Sequence, residues 1–207
     1  MTKKPPIQQL VLCAIWFGAV GAGLQVMASY ENTPGREGKL KLVLNPSSGR
    51  SKSPQQDTLM MFFHPQCPCS RASVAELSRI MAQCQGRLHT DIYIFQPDSL
   101  PASWARSGLW QTAAAIPGVC VFPDINGDKA RGLGGLTSGE ALLYSEDGRL
   151  LFHGGITEGR GHEGDNDGHD AIVSLVWNGR ATKLATPVFG CPILTEQATA
   201  APRCPHP

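Results

Sequence analysis

The spacing of apolar and polar positions divides the chain into elements. "TLMMFF", residues 58–63, is a continuous apolar run of strand length, the pattern of a strand buried on both faces. Pro65 and Pro68 interrupt it. From Ser70 the period becomes helical: Val74, Leu77, Ile80, Met81 and Cys84 fall on one face, while Arg71, Ser78 and Gln85 fall elsewhere. Ser70 or Ser73 can cap this helix, Ser73 and Glu76 have capping-box spacing, and Gly86 ends it. "HTDIYIF", 89–95, predicts a second strand. "LPASWARSGLWQTAAAIPG" predicts a partly helical stretch with Trp104, Leu109 and Trp110 facing inward, and "VCVF" a short third strand before Pro123. "EALLYSEDGRLLFHGG" is a hairpin, with two apolar runs flanking Glu146-Asp147-Gly148. "GHDAIVSLVWNG" predicts a final helix, with Asp167 or His169 near its start and Asn178-Gly179 at its end. Strand, helix, strand, helix, strand, hairpin and helix make an α/β chain with a small mixed sheet flanked by helices.

The N-terminus differs. Lys3 and Lys4 precede a run from Ile7 to Ala28 without a charge. Its length of about 22 residues is enough to cross a bilayer, and the lysines place its N-terminus in the cytoplasm. A cleaved signal peptide, with Val26-Met27-Ala28 as a weak cleavage site, is the competing reading. Both send the rest of the chain across the membrane. The expected organisation is a membrane anchor or signal over 1–28, a Pro-, Gly- and Ser-rich linker over 29–56, a folded domain over 57–178, and an irregular, proline-rich tail over 179–207.

Composition narrows the function classes. The 18 basic and 17 acidic residues nearly cancel, with no basic stripe, so nucleic acid is not an expected partner. Seven cysteines are many for 207 residues. In an exported chain they meet an oxidising compartment where disulfides persist. Cys13 lies in the apolar run. Cys67, Cys69, Cys84, Cys120, Cys191 and Cys204 remain, and their pairing is open.

The densest chemistry is "FFHPQCPCSRAS", where the first strand gives way to the first helix of the domain. A thiol at a helix N-terminus feels the positive end of the dipole and exposed amide donors, which stabilise a thiolate. Cys67 is placed for this, and Cys69 lies in the first turn. A Cys-x-Cys disulfide closes a small, strained ring that is easily reduced. His64, Cys67 and Cys69 could instead bind Cu(I) or zinc, with His162 or His169 as a remote ligand. A structural disulfide, for example to Cys191, is the third possibility. Arg71 could stabilise the thiolate or be a solvated helix residue. The polar loop "GRGHEGDNDGHD", 159–170, is expected to cap the last helix or to flank the cysteine site. Cys84 and Cys120 are expected to be buried and inert.

The segment "FFHPQCPCSRASVAEL" resembles the active-site segment of thioredoxin-fold proteins, and "GEALLYSEDGRLLFHGG" resembles their closing hairpin. The similarity covers roughly 57–178. With "SGLWQTAAAIPGV", "GGITEGRGHEGDN" and "TPVFGCP", the chain is similar to bacterial membrane-anchored RedB-like proteins. The resemblance implies a thioredoxin-like mixed sheet and places Cys67 on the attacking cysteine. Ser70 falls where the second cysteine of that pattern stands, and Gln66 where an aromatic residue stands. The loop opposite, expected to carry Thr and a cis-proline, reads Thr137-Ser138-Gly139. Where a peroxiredoxin-like site needs Thr or Ser stands His64, so peroxidase chemistry is not expected.

The resulting expectation is a membrane-tethered thiol-disulfide oxidoreductase on the periplasmic side of a bacterial cytoplasmic membrane. It acts on thiols or disulfides of exported proteins. Cys67 attacks and Cys69 resolves, supported by His64, Ser70, Arg71 and Thr137, without a cofactor. The alternative is a module that binds or delivers copper or another metal, using His64, Cys67, Cys69 and His162.

Overall fold

The computed structural model describes residues 6–44 and 56–194. Cys204 lies outside them. Helix α1 (Ile7–Glu31) forms one compact unit, and the chain from Pro34 onward forms the other. Ile7–Glu31 is long and apolar enough to cross a membrane. At 1.5 Å per residue its 25 residues reach about 37 Å, against a hydrocarbon core of about 30 Å.

The second unit is a five-stranded mixed sheet. Strand β1 (Asp57–Phe63) leads into helix α2 (Ser70–Gln83) and strand β2 (Leu88–Gln96). Two short helices, α3 (Ala102–Ala105) and α4 (Gly108–Ala114), precede strand β3 (Val119–Ile125). Helix α5 (Asp128–Leu133), the hairpin β4 (Glu140–Tyr144) and β5 (Leu150–Gly154), and helix α6 (Asp167–Asn178) follow. The strand order is β3-β2-β1-β4-β5, with β1, β2 and β3 parallel and β4 antiparallel to both neighbours. This is the thioredoxin-like sheet that the sequence implies.

The position of β1 explains its unbroken apolar run. As the central strand it buries Leu59, Met61 and Phe63 with Leu77 and Ile80 of α2 and Ile172 of α6. Met60 and Phe62 point to the other face, into a second cluster with Tyr93, Leu142 and Tyr144. Both faces are covered along residues 59–63, which is why that stretch is apolar at every position.

Several local expectations change. Strand β3 runs through Pro123 rather than stopping before it, because it is the outer strand, where a missing N–H is tolerated. The Ser73–Glu76 capping box does not form. Both residues are buried inside α2, and Glu76 instead accepts from Arg79 at 2.6 Å and from the Gly164 N–H at 2.6 Å. The cap of α6 is Asn166, whose Oδ1 accepts from the His169 N–H at 2.8 Å, rather than Asp167 or His169. Helix α5 was not anticipated. The Asp124 carboxylate holds its first turn by accepting from Lys129 N–H at 2.8 Å and Ala130 N–H at 3.0 Å.

Two segments without long elements pack on the sheet. The N–H of Leu44 donates to Gly148 and that of Leu150 to Leu42, both at 2.9 Å, and the Leu44 side chain is buried in the second cluster. Residues 184–193 form a strap. It pairs with His153 near Leu184 and Thr186, and with Leu136 and Ser138 near Cys191 and Ile193. Residues 184–193 contain no regular helix or strand, and their backbone bonds and the buried Val188 and Ile193 fix them in place.

Glu140, at the start of β4, is 1% exposed and accepts a hydrogen bond from the Leu136 N–H at 3.1 Å. Burial pushes its carboxyl up to about 7; the Thr137 and Leu136 amides oppose this, and the charge of Glu37 adds to it. The neutral form is therefore favoured in the folded state. Its stabilisation is full below the unfolded value near 4.5 and is lost as pH rises through about 7. Denaturant unfolding should show up to about 3 kcal/mol lost over that window, and Glu140→Gln should flatten the slope. Equal slopes in both proteins would refute this assignment.

Candidate functional site

Parallel strands β1 and β2 end at the same edge of the sheet, and the chain leaving β1 turns there into α2. The turn is tight: the Cys67 N–H donates to His64 at 3.0 Å and the Ser70 N–H to Cys67 at 3.2 Å. Cys69 is the residue immediately before the helix, with αR backbone and no side-chain cap bond of its own. Cys67 is thus held at the α2 N-terminus and is only 4% exposed, while Cys69 is half-buried.

Two further segments close the site. The loop before β4 brings Ser138, and the strap brings Cys191. The Ser138 hydroxyl accepts from the His64 N–H at 2.8 Å and lies 2.8 Å from the Ser70 hydroxyl. The Ser138 N–H donates to the Cys191 carbonyl at 2.8 Å. Ser70 also hydrogen-bonds the Cys67 sulfur. Ser138 thus ties the His64 amide to Ser70 beside Cys67.

The electrostatics separate the three thiols. Burial pushes Cys67 up, but hydrogen bonds from the Cys191 amide, the Cys191 thiol, Ser70 and the Cys69 amide outweigh it, and the net displacement is downward. Cys69 is displaced upward by burial and by the charge of Cys67, with Arg160 opposing. Cys191 is pushed up to about 12 by burial, then by its hydrogen bond to Cys67 and the charges of Cys67 and Cys69, again against Arg160. Cys67 is therefore the sulfur that ionises first, with two protonated thiols beside it.

The anticipated residues divide. Cys67, Cys69 and Ser70 come together. His64 contributes its backbone; its ring stacks on Phe95 at 5.8 Å and meets the Trp104 edge at 5.6 Å, and burial lowers its pKa. Arg71 is exposed and, with Cys67, Gln66, Ser107 and Thr112, lines an open cleft of about 640 Å³. Thr137 does not face the thiols. Its hydroxyl donates to the Arg36 carbonyl at 2.9 Å and steadies the loop from behind, and Ser138 takes the place at the site.

The residues that sequence reasoning did not place are Ser138 and Arg160. Arg160 donates to the Gly190 carbonyl at 2.5 Å and reaches Cys69. The only hint was its position in a polar loop that could flank the cysteines. That loop also helps to fix the site, because the Gly164 N–H binds Glu76 on α2.

The metal alternative finds no convergent ligand set at the cysteines. Among the described residues, three or more candidate ligand atoms gather within 4.8 Å of one another only at His89, Asp91 and Cys120, on β2 and β3. Nδ1 of His64 accepts from the Gln66 N–H at 3.2 Å, and His162 packs against Gly159. Cys84 is fully buried, which pushes its thiol up to about 11. Cys120 is half-buried rather than enclosed.

No family model matches the chain, and no curated protein matches it in sequence. Solved structures do. A hypothetical protein from Sinorhizobium meliloti 1021 superposes with a TM-score of 0.55 at 18% identity, covering 79% of this chain and 93% of that one. An uncharacterized conserved protein from Geobacillus kaustophilus gives 0.56 at 15% identity, covering 80% and 93%. A secreted Mycobacterium tuberculosis disulfide oxidoreductase homologous to E. coli DsbE gives 0.43 at 13% identity, covering 59% and 81%.

Proposed function

We propose that this thioredoxin-fold protein carries out thiol-disulfide exchange on exported proteins at the outer face of a bacterial cytoplasmic membrane. In this reading α1 is its anchor and Cys67 its attacking thiol. The observation that carries the reading is the Cys67 sulfur. It sits just before a helix N-terminus and borders an open cleft, and although burial opposes ionisation, the amide, hydroxyl and thiol donors around it displace its pKa downward. Such surroundings stabilise a thiolate, the form that attacks disulfides.

The chemistry needs only sulfur. The Cys67 thiolate attacks one sulfur of a substrate disulfide, a Cys67–substrate disulfide forms, and the second substrate sulfur leaves as a thiolate that takes up a proton. In the reverse step the free substrate thiolate attacks the substrate sulfur of the Cys67–substrate disulfide, the substrate disulfide re-forms, and Cys67 leaves as a thiolate. Ser70 and the Cys69 amide hold the Cys67 charge before attack and whenever Cys67 is the leaving group.

The test uses the full chain, reduced, in detergent micelles. It is mixed with a peptide disulfide, quenched in acid and mapped by mass spectrometry. A mixed disulfide on Cys67 is expected within the first turnover. Adducts confined to Cys69, Cys120 or Cys191 would overturn the assignment.

A further inference from the structure

We infer that Cys191, carried on the strap 184–193, is the resolving thiol of this site and closes an intramolecular disulfide with Cys67. The inference rests on exchange at Cys67.

The strap is built to hold Cys191 there. On one side of it, the Ser138 N–H donates to the Cys191 carbonyl at 2.8 Å; on the other, the Ile193 N–H donates to Leu136 at 2.9 Å. Arg160 grips the preceding carbonyl, that of Gly190. A Cβ at position 190 would lie 1.9 Å from the Ser138 carbonyl oxygen, so only glycine lets the strap come this close. Cys191 is thereby held at Ser138, whose hydroxyl lies 2.8 Å from the Ser70 hydroxyl at the head of α2, and from there its amide and thiol favour the Cys67 thiolate. The two cysteines are therefore neighbours before any substrate arrives, each shifting the other's ionisation.

Cys69 is worse placed for the same step. It is two residues from Cys67 and already in αR backbone at the head of α2, its amide directed at the Cys67 sulfur. A bond between them would close a small ring against that turn, and such rings are strained. Cys191 approaches from a separate segment and needs no change in α2.

The electrostatics order the two steps. While Cys67 is a thiolate, its charge helps to keep Cys191 protonated. When Cys67 enters a mixed disulfide that charge is gone, and Arg160 remains to favour the Cys191 thiolate. Cys191 then loses its proton and attacks the Cys67 sulfur. The Cys67–Cys191 bond forms, the Cys67–substrate bond breaks, and the substrate sulfur leaves and is protonated. The substrate disulfide gains two electrons and the pair loses two. An external dithiol reductant returns the pair to its reduced state.

The experiment reacts the reduced full chain, in micelles, with glutathione disulfide, followed by acid quench, alkylation and peptide mapping. Wild type and Cys69→Ser should both yield a Cys67–Cys191 linked peptide pair. Cys191→Ser should retain glutathione on Cys67 and lose it at least about tenfold more slowly. A Cys67–Cys69 link in wild type overturns the inference, as does wild-type release from Cys191→Ser. Because the wild-type and Cys69→Ser links are read without altering Cys191, a poorly folding Cys191→Ser does not obscure the result. If Cys67 takes up no glutathione in any protein, exchange at Cys67 fails and resolution by Cys191 falls with it.

Discussion

Serine in place of Cys67 abolishes disulfide exchange, lowering its rate by at least about 10³-fold at neutral pH. The hydroxyl has nearly the volume of the thiol but does not ionise near neutrality, so every donor around Cys67 is left without a charge to stabilise. Those donors are fixed by the fold: the α2 N-terminus, Ser70 held by Ser138, and Cys191 held by the strap. Serine can accept the same hydrogen bonds, so the unfolding midpoint should move little. Full-length wild type and Cys67→Ser are compared in micelles for reduction of a peptide disulfide and for denaturant unfolding. A variant within tenfold of the wild-type rate would remove Cys67 from its role. Cys69 or Cys191 would then carry the reaction.

Gly190→Val is expected to act on stability and reactivity together. The strap meets the loop before β4 backbone to backbone, with the ideal Cβ position at 190 only 2.9 Å from the Ser138 carbonyl carbon as well. Neither backbone can give way as a side-chain tip would. The strap must lift, at a cost of about 1–3 kcal/mol for overpacking. Lifting removes the Cys191 amide and thiol from the Cys67 sulfur. With those donors gone, the burial that opposes ionisation is less fully offset, so Cys67 titrates at higher pH and alkylates more slowly at neutral pH. Thermal unfolding and pH-dependent alkylation of Cys67 check both effects. A destabilised variant with an unchanged Cys67 titration would show that the strap does not tune the thiol.

What the sequence disclosed follows from the range of each signal. "TLMMFF", the apolar face of α2 and the Asp147-Gly148 turn are periodicities within one element, so their structures were legible. The Cys67 position at a strand-helix junction was legible for the same reason. Resemblance to the thioredoxin pattern also marked the loop at Thr137-Ser138-Gly139 as the one that faces the cysteine. Which hydroxyl faces it depends on how that loop is pinned, and the Thr137 bond to Arg36 decides for Ser138. The capping box failed because a buried carboxylate is drawn to a distant amide, that of Gly164, which spacing within the helix cannot reveal. Cys191 and Arg160 were visible only as a thiol in a proline-rich tail and a cation in a polar loop. Their meeting depends on the strap crossing the end of the sheet. No local pattern encodes that crossing, although Gly190 beside Cys191 is its one trace.

The pH dependence of alkylation at each cysteine, read by peptide mass spectrometry on the full chain in micelles, tests the role of Cys67 most directly. Cys67 should react with a midpoint below the ordinary thiol value of about 8.5, and Cys69 and Cys191 should titrate above it. A Cys67 midpoint at or above 8.5, with Cys69 or Cys191 ionising first, would contradict Cys67 as the attacking thiolate.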